Sequence, residues 1–368
     1  MAQQPNLTPQ ANQDTTQTRA SRRSALKNAV AGVAGVAALG AAPFVHAQKK
    51  TGIRWRLQTY AGASLGAHVV KPAIDAFNKA ANGEMTIELY YADQLVPTGE
   101  LVRAMQKGTL DAVQSDDDSM ASPADVRVFG GYFPFATRYS LDVPVLFNQF
   151  GLDKIWAESY SKVENVTWLS AGAWDPCHFA TRTPITKLAD LKGKKVYTFP
   201  TAGEFLSRFG VVPVDLPYED ALVALKTGEL DGVAWSGITE DYTVGWADNT
   251  KYFLTNNIAG AWIGHFFANT QSWNKVPPHL QALFKLAMDS SHYYRQHWYW
   301  GGEADYRVNG SKLKLTTIPE AEWATVEAEA MKFWDDIAKK GPTAKKVVDI
   351  FRKYNAMMSK AGKPYRYA

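Results

Sequence analysis

The feature that most constrains what this chain can fold into is a stretch of sequence that occurs twice. Glu100-Leu-Val-Arg-Ala-Met-Gln-Lys-Gly-Thr-Leu-Asp-Ala-Val113 and Asp220-Ala-Leu-Val-Ala-Leu-Lys-Thr-Gly-Glu-Leu-Asp-Gly-Val233 share Ala104/Ala224, Gly108/Gly228, Leu110/Leu230, Asp111/Asp231 and Val113/Val233 at a constant offset of 120 residues. Each copy reads as an amphipathic helix, a glycine stop and a short strand. A single helix–glycine–strand unit is common in any α/β protein; two copies this alike predict two similar α/β lobes facing each other. In open α/β sheets the site lies beyond the carboxyl ends of the strands. Residues 114–118 and 235–240 are therefore the first candidates for cleft walls.

The surrounding sequence fits that plan. Ile53-Arg54-Trp55-Arg56-Leu57-Gln58 alternates like a strand, and a small-residue turn, Ala61-Gly62-Ala63-Ser64, leads into helical spacing over 65–82. A strand over 85–90 precedes a helix over 99–107, and further units follow at 166–169, 195–199 and 203–209. Strands alternating with helices predict a parallel-type sheet with covered faces. After Asn269 the chain turns helical over 278–300, then at a capping-box start Thr317-x-x-Glu320, then over 342–360. These amphipathic helices are expected to brace the lobes. No low-complexity linker separates the lobes, so the chain is expected to cross between them more than once. The expected division is 51–173 with 264–301, and 174–263 with 302–368.

The N-terminus reads as an export signal. Ser21-Arg22-Arg23-Ser24-Ala25-Leu26-Lys27 precedes an Ala/Gly/Val run over 29–42, and Val45-His46-Ala47 places small residues where a signal peptidase reads. The paired arginines resemble a twin-arginine signal. The apolar run, about 14 residues, is short of the roughly 20 needed to span a bilayer. Cleavage is expected before Gln48. Residues 1–47 carry Arg19, Arg22, Arg23, Lys27 and Asp14, which leaves 36 basic and 35 acidic residues in the mature chain. The basic charge thus belongs largely to the signal, and a nucleic-acid partner gains no support. The lone Cys177 excludes an intramolecular disulfide and a Cys-based zinc cluster. No other segment is apolar for long enough to cross a membrane, so a soluble periplasmic protein without direct membrane insertion is expected. Its 12 Trp and 17 Tyr suit walls that are apolar with a polar edge.

Three further runs carry a family resemblance. Asp190-Leu-Lys-Gly-Lys-Lys-Val196, Gly210-Val-Val-Pro-Val-Asp-Leu-Pro217 and Ala224-Leu-Lys-Thr-Gly-Glu-Leu-Asp-Gly232 resemble the signature of solute-binding proteins of tripartite ATP-independent periplasmic (TRAP) transporters, the DctP family. Phe133-Pro-Phe135, Gly151-Leu-Asp-Lys-Ile-Trp156, Ala173-Trp174 and His265-Phe-Phe-Ala-Asn-Thr-Gln-Ser-Trp273 bring it closer to the α-keto-acid-binding branch. The likeness runs in order from 53 to 308. It implies a two-lobed α/β fold of the type II-like periplasmic-binding-protein kind, with a hinge and long C-terminal helices. It also implies closure on a small organic acid, and delivery of that ligand to large and small TRAP membrane subunits. In the family, the strand after Asp-Leu-Lys-Gly supplies an arginine that clasps the ligand carboxylate; here that position is Tyr197. In the keto-acid branch a Glu before the Trp of the second copy helps hold a cation; here it is Ala234, beside Trp235. No metal and no cofactor are expected.

With the arginine gone, the charge anchor is open: Arg138, Arg182, His178 and His265 are the nearby candidates, His265 at a position that matches the family. Asp116 and Asp117, in the run Asp116-Asp117-Asp118, read either as a solvated acidic loop or as acceptors for ligand hydroxyls or an ammonium group. Tyr60, Trp174, Tyr197, Phe199, Trp235 and Trp262 are candidate flat walls, with Ser236 beside them on the second wall. The competing readings are an exported enzyme and a ligand-presenting partner of a sensor. The sequence has no H-E-x-x-H, P-loop or G-x-G-x-x-G, and no nucleophile elbow is expected. Asp231 with Glu240 could make a glycosidase pair, but the repeat explains Asp231 more simply.

Overall fold

The computed structural model describes residues 52–362; the export-signal reading of 1–47 lies outside them. Among the described residues the chain forms β1 (Ile53–Thr59), β2 (Met85–Tyr90), β3 (Ala112–Ser115), β4 (Val166–Ala173), β5 (Cys177–Thr181), β6 (Lys195–Thr198), β7 (Val212–Val214), β8 (Gly232–Ala234), β9 (Tyr252–Ala259), β10 (Ile263–Asn269) and β11 (Lys314–Thr316). Two sheets result, in the orders β2-β1-β3-β10-β4 and β11-β9-β5-β8-β6-β7. They are mixed rather than parallel. β10 runs antiparallel to β3 and β4, and β5 antiparallel to β8 and β9. These are the two strands that arrive directly from the other sheet. A parallel neighbour needs a long returning connection; a chain that passes straight across in three residues keeps its heading and enters against the grain.

The two crossings, residues 174–176 and 260–262, lie side by side. Trp174 N donates to Trp262 O at 3.0 Å and Trp262 N to Asp175 O at 2.8 Å, and the two indoles meet edge to face at 4.7 Å.

The repeated unit builds the same joint twice. Helices Leu101–Gln106 and Tyr218–Thr227 each end at a glycine in the left-handed region, Gly108 at φ +71° and Gly228 at φ +87°. This conformation is costly for any residue with a Cβ. Three residues on, the repeated Asp grips the neighbouring strand with both backbone and side chain. Asp111 N donates to Arg56 O at 3.0 Å while Arg56 N donates to Asp111 Oδ2 at 2.9 Å. Asp231 does the same with Lys195, at 2.8 Å in each direction.

Three long helices tie the sheets together. Helix Pro278–Asn309 buries Leu280, Phe284, Ala287 and Met288; Phe284 packs on Trp55 and Phe77 beneath the first sheet. Farther along, it meets the helix Ile238–Val244 of the second sheet, where Thr239 Oγ1 donates to Tyr299 O at 3.3 Å. It runs unbroken through residue 301, where a lobe boundary was expected. Helix Glu320–Ala338 likewise touches both sides: Trp334 Nε1 donates to Pro134 O at 2.8 Å, and Arg208 Nη1 sits 2.9 Å from Glu329 Oε1. Its expected capping box does not form. Pro319 occupies the N-cap, and the Thr317 hydroxyl pairs with Thr255 Oγ1 at 2.5 Å. Helix Pro342–Ala361 packs Phe351 on Phe133, with ring centroids 5.7 Å apart. No described helix is long and apolar enough to cross a membrane.

Candidate functional site

The carboxyl ends of β1, β3, β6 and β8 lead into Tyr60, Asp116, Phe199 and Trp235. Between them opens a cleft of about 350 Å³ whose lining includes Tyr60, Arg127, Tyr197, Phe199, Tyr218 and Trp235. Four of the expected wall residues therefore come together. Trp235 is sandwiched between Tyr197 (4.9 Å, 10° between planes) and Phe199 (4.2 Å, 25°). Tyr60 stacks on Trp262 at 4.5 Å. Trp174 stands one layer behind, with the Arg295 guanidinium 3.8 Å above its ring. The second sheet meets the first across this cleft: Thr201 N, at the start of helix Pro200–Leu206, donates to Asp118 Oδ2 at 2.8 Å. Arg127 Nε holds the other Asp118 oxygen at 3.3 Å.

Three consecutive aspartates after β3 meet three different fates. Asp118 is that cross-cleft acceptor. Asp117 turns into the first sheet's core, where Trp156 Nε1 donates to Oδ2 at 3.0 Å, Tyr160 donates to Oδ1, and His265 Nε2 lies 2.9 Å from Oδ2. Trp168 Nε1 donates to His265 Nδ1 at 3.1 Å, which fixes the ring proton on Nε2. Asp117 and His265 thus belong to a closed buried network behind the cleft. Asp116 accepts the backbone N–H groups of Asp118 (2.9 Å) and Ser119 (2.8 Å) on Oδ1, while its buried Oδ2 has no partner. Burial pushes the Asp116 carboxyl up to about 7.

Two more buried carboxylates stand close by. Asp175, in the first crossing, accepts from Tyr132 Oη at 2.8 Å and from Gly237 N at 2.6 Å. Glu240, on helix Ile238–Val244, accepts from the Tyr299 hydroxyl. Burial raises both, Glu240 to about 8, and the charge of Glu240 raises Asp175 further. Glu240, Asp175 and Asp116 together act on the Tyr60 phenol, whose pKa burial and these charges drive upward. Behind them Ser236 Oγ donates to Asp241 Oδ1 at 3.0 Å, so Ser236 serves that acid rather than the cleft wall. No group of three or more His, Cys, Asp or Glu among the described residues is arranged to hold a metal ion.

The remaining cationic candidates lie elsewhere. Arg182 Nη1 donates to Leu225 O at 2.7 Å, closing the end of helix Tyr218–Thr227. Arg138 pairs with Glu327. His178 Nδ1 pairs with Leu254 O at 3.0 Å, and burial with the nearby Arg307 lowers its pKa to about 3. Burial raises the Cys177 thiol, the wrong direction for a nucleophile. Gly62-Ala63-Ser64-Leu65-Gly66 does carry the G-x-S-x-G spacing of a nucleophile elbow. Ser64, however, lies inside helix Ala63–Val69 and is not among the positive-φ residues that a strained elbow demands.

Sequence reasoning missed Tyr132, Asp175 and Tyr299, and weighed Glu240 only as a partner for Asp231. Tyr299 sits inside a periodic helix and Asp175 inside a crossing, where no spacing rule singles them out. Glu240 did lie in a segment marked as a cleft wall.

Comparison with known proteins agrees with this architecture. The family model described as bacterial extracellular solute-binding protein, family 7, matches residues 63–340. A crystal structure of a TRAP periplasmic solute-binding protein from Chromohalobacter salexigens, with bound (S)-(+)-2-amino-1-propanol, is 69% identical with a TM-score of 0.84, covering 86% of this chain and 99% of that one. A monocarboxylate 2-oxoacid-binding periplasmic protein from Nostoc sp. is 24% identical over 312 residues, 82% of this chain and 84% of its own length. A TRAP solute-binding protein from Pseudoalteromonas atlantica, with bound sodium and pyruvate, shares the fold at 19% identity and a TM-score of 0.76, covering 85% of this chain and 96% of that one. Two mixed sheets joined by paired crossings, a cleft between their strand ends and a family match over most of the length lead to one assignment: the chain belongs to the DctP family of bacterial extracellular solute-binding proteins.

Proposed function

We propose that this chain, exported through its twin-arginine-like signal to the periplasm, captures a small polar organic solute between its two sheets and delivers it to the large and small membrane subunits of a TRAP transporter. The observation that carries this is the shared wall. Tyr60 (backed by Trp262), Leu65 and Arg127 line the cleft from the side of the first sheet, Tyr197, Phe199 and Trp235 from the second, and neither set encloses a ligand alone. A ligand touching both sets binds the closed arrangement better than an open one, and that difference is what drives a hinge closure. The two sheets would be the cores of the lobes, and the paired crossings the hinge. About 350 Å³ suits a small molecule, at the lower end of ordinary ligand pockets.

The ligand class has support from two sides. Relatives are described with pyruvate and with 2-oxoacids, which agrees with an organic acid. The 69% identical relative is described with an amino alcohol. In this chain the family's carboxylate-clasping position is Tyr197, whose ring stacks on Trp235 and which brings no charge. A solute held chiefly by polar and aromatic contacts fits this cleft. An enzyme reading finds no activated nucleophile among the groups described above.

A thermal-shift screen of the mature protein against keto, hydroxy, aromatic and amino acids and amino alcohols tests the receptor role. A cognate solute at a hundredfold excess over its Kd should stabilise the fold by about 2.7 kcal/mol. Absence of any shift, together with turnover of one of these compounds, would overturn it.

A further inference from the structure

Most buried carboxylates of this protein have an evident counter-charge or role. Asp118 meets Arg127, Glu303 meets Arg307 at 3.2 Å, and Asp117 meets His265. Asp241 makes no ion pair among the described residues and is held by Ser236 Oγ. Asp116, Asp175 and Glu240 likewise make none, and all three are 2% exposed or less. They come from three separate elements: the end of β3, the first crossing and the helix Ile238–Val244. They gather behind the cleft wall: Tyr132, which holds Asp175, meets the cleft-lining Phe199 edge to face at 5.1 Å, Asp116 and Phe199 flank the same face of Gly131, and Asp175 accepts from Gly237 N at the head of the helix that carries Glu240. Uncompensated carboxylates are expensive to bury, so three of them packed behind the wall of a binding cleft require a cation, protons, or both.

The nearest protein cation does not serve. Arg295 donates to Ala173 O (3.2 Å), Val69 O (3.3 Å) and Ser291 Oγ (2.5 Å) and lies against the Trp174 ring, behind the wall, with its remaining Nη2, which has no hydrogen-bond partner, against Gly172 rather than the acids. It sits near Tyr60 and Tyr299, and even when it is counted, three acids face one guanidinium. Two independent observations point to a ligand. Asp116 Oδ2 is fully buried without a partner, and so is Nε1 of Trp262, the indole stacked on Tyr60. The phenols Tyr132 and Tyr299 occupy one oxygen each of Asp175 and Glu240 and hold those carboxylates in place. Aromatic faces beside the acids, Tyr60, Trp262 and Phe199, add the cation–π attraction that a compact ammonium finds at such walls.

We propose that Asp116, Asp175 and Glu240 form the seat of a ligand ammonium group, so that the solute captured here carries a primary amine, as amino alcohols and amino acids do. This rests on the receptor role above and names its ligand chemistry. The three carboxylates supply acceptors only, in keeping with the three N–H donors of a primary ammonium, while the Trp262 indole N–H is a donor suited to an oxygen of the same solute. The carboxylates repel an acid group, so in an amino acid the acid end would point away from them.

Calorimetric titration of the mature protein with four matched probes tests the seat: 2-amino-1-propanol, alanine, 1,2-propanediol and lactate. The diol and lactate replace the amine of the first two with a hydroxyl. Expected is binding of one or both amines with a preference of roughly 10- to 150-fold over the hydroxyl partner, the range of one charge-assisted hydrogen bond. Alanine above 2-amino-1-propanol identifies an amino acid as the source of the amine, and the reverse order an amino alcohol. Asp116→Asn and Glu240→Gln, checked for folding by circular dichroism, should each weaken the amine by at least about tenfold and leave the diol nearly unchanged. Equal binding of amine and diol overturns the seat without needing any variant. So does tighter binding of lactate, which leaves the receptor role standing. If none of a wide solute screen binds, both fall.

Discussion

In the first copy of the repeated unit, Asp111 clamps Arg56 of β1; in the second, Asp231 clamps Lys195 of β6, with nearly the same distances. Just past each strand the copies part. The first continues as Ser115-Asp116-Asp117-Asp118, which sends one acid behind the cleft wall, one to the core and one across to Thr201. The second continues as Trp235-Ser236-Gly237 and delivers its acid, Glu240, one helical turn later. The repeated aspartates are partnered and shape the sheets. Of the acids beyond the repeat, Asp116 and Glu240 are desolvated and make no ion pair with any described residue. An acidic side chain that recurs with the fold is therefore architectural, and one that departs from it is a candidate for ligand contact.

The largest expected effects separate these two kinds of acid. Glu240→Gln should cost amine binding roughly 1.5–3 kcal/mol, while the ligand-free protein becomes more stable at pH 8, where the native carboxylate must otherwise ionise in a dry site. Asp111→Ala should do the opposite. It strands the Arg56 N–H and the Ser272 hydroxyl, which donates to Asp111 Oδ1 at 2.8 Å, and should lower stability by about 1–3 kcal/mol with unchanged affinity. Asp231→Ala should cost less, since Asp231 is the more exposed of the two. Urea unfolding with parallel titrations reads both axes. A Glu240→Gln protein that loses stability at pH 8 and keeps its affinity would erase the distinction.

A smaller effect follows from pH. Asp116 is raised to about 7 and Glu240 to about 8. Unfolded, both ionise near their ordinary carboxylate values, so the native state holds extra protons between about pH 4 and those raised values. The stability from each group is complete below its unfolded pKa and is lost as pH rises through its folded one, at up to about 1.4 kcal/mol per pH unit. The groups facing this pair are Asp117, Asp118, Asp175, Asp241, Glu303, Arg295 and the phenols Tyr60, Tyr132 and Tyr299. In ligand-free protein their joint contribution should fall from pH 5 to pH 8 and then level, with amine affinity rising between pH 6 and pH 8 as the seat ionises. The Asp116→Asn/Glu240→Gln double variant should flatten both trends. Melting curves with and without 2-amino-1-propanol check this, and an unchanged slope in the double variant would contradict it.

Much of this was legible in the sequence because it depends on local pattern. The echo marked the segments 114–118 and 235–240, which bring Asp118 and Trp235 to the cleft and Asp116 and Glu240 behind it, since a strand's end is fixed by its own helix, glycine and turn. Tyr197, Phe199 and Trp235 were expected as flat walls, and they stack on one another because Tyr197 lies on β6 while Phe199 and Trp235 follow the ends of the adjacent strands β6 and β8. The mixed sheets were not foreseen, because direct crossing at 174–176 and 260–262 reverses a strand's sense without changing its composition. Nor was the destination of Asp117 and His265: both lie beside cleft residues in sequence, and only strand register turns them inward. Asp175 needs three elements assembled around it before its charge becomes conspicuous.

Arg182 gives the smallest and sharpest test. It was one of four candidates to replace the missing arginine, a cation just after β5 in sequence. It lies instead at the far end of the repeated unit, donating to Leu225 O and packing beside Gly228. Its partner is a helix-terminal carbonyl, which gains from a cation at this end of the helix dipole. Arg182→Ala should therefore lower stability by only about 0.5–1.5 kcal/mol and leave solute affinity within about twofold. Because the equivalent carbonyl of the first copy, Met105 O, is held by Asn269 Nδ2 at 2.7 Å rather than by an arginine, the loss should be specific to the second copy. Hydrogen exchange would then show faster opening around helix Tyr218–Thr227 with helix Leu101–Gln106 unaffected. A marked fall in affinity would instead return Arg182 to the ligand and reopen the search for an acid-binding anchor.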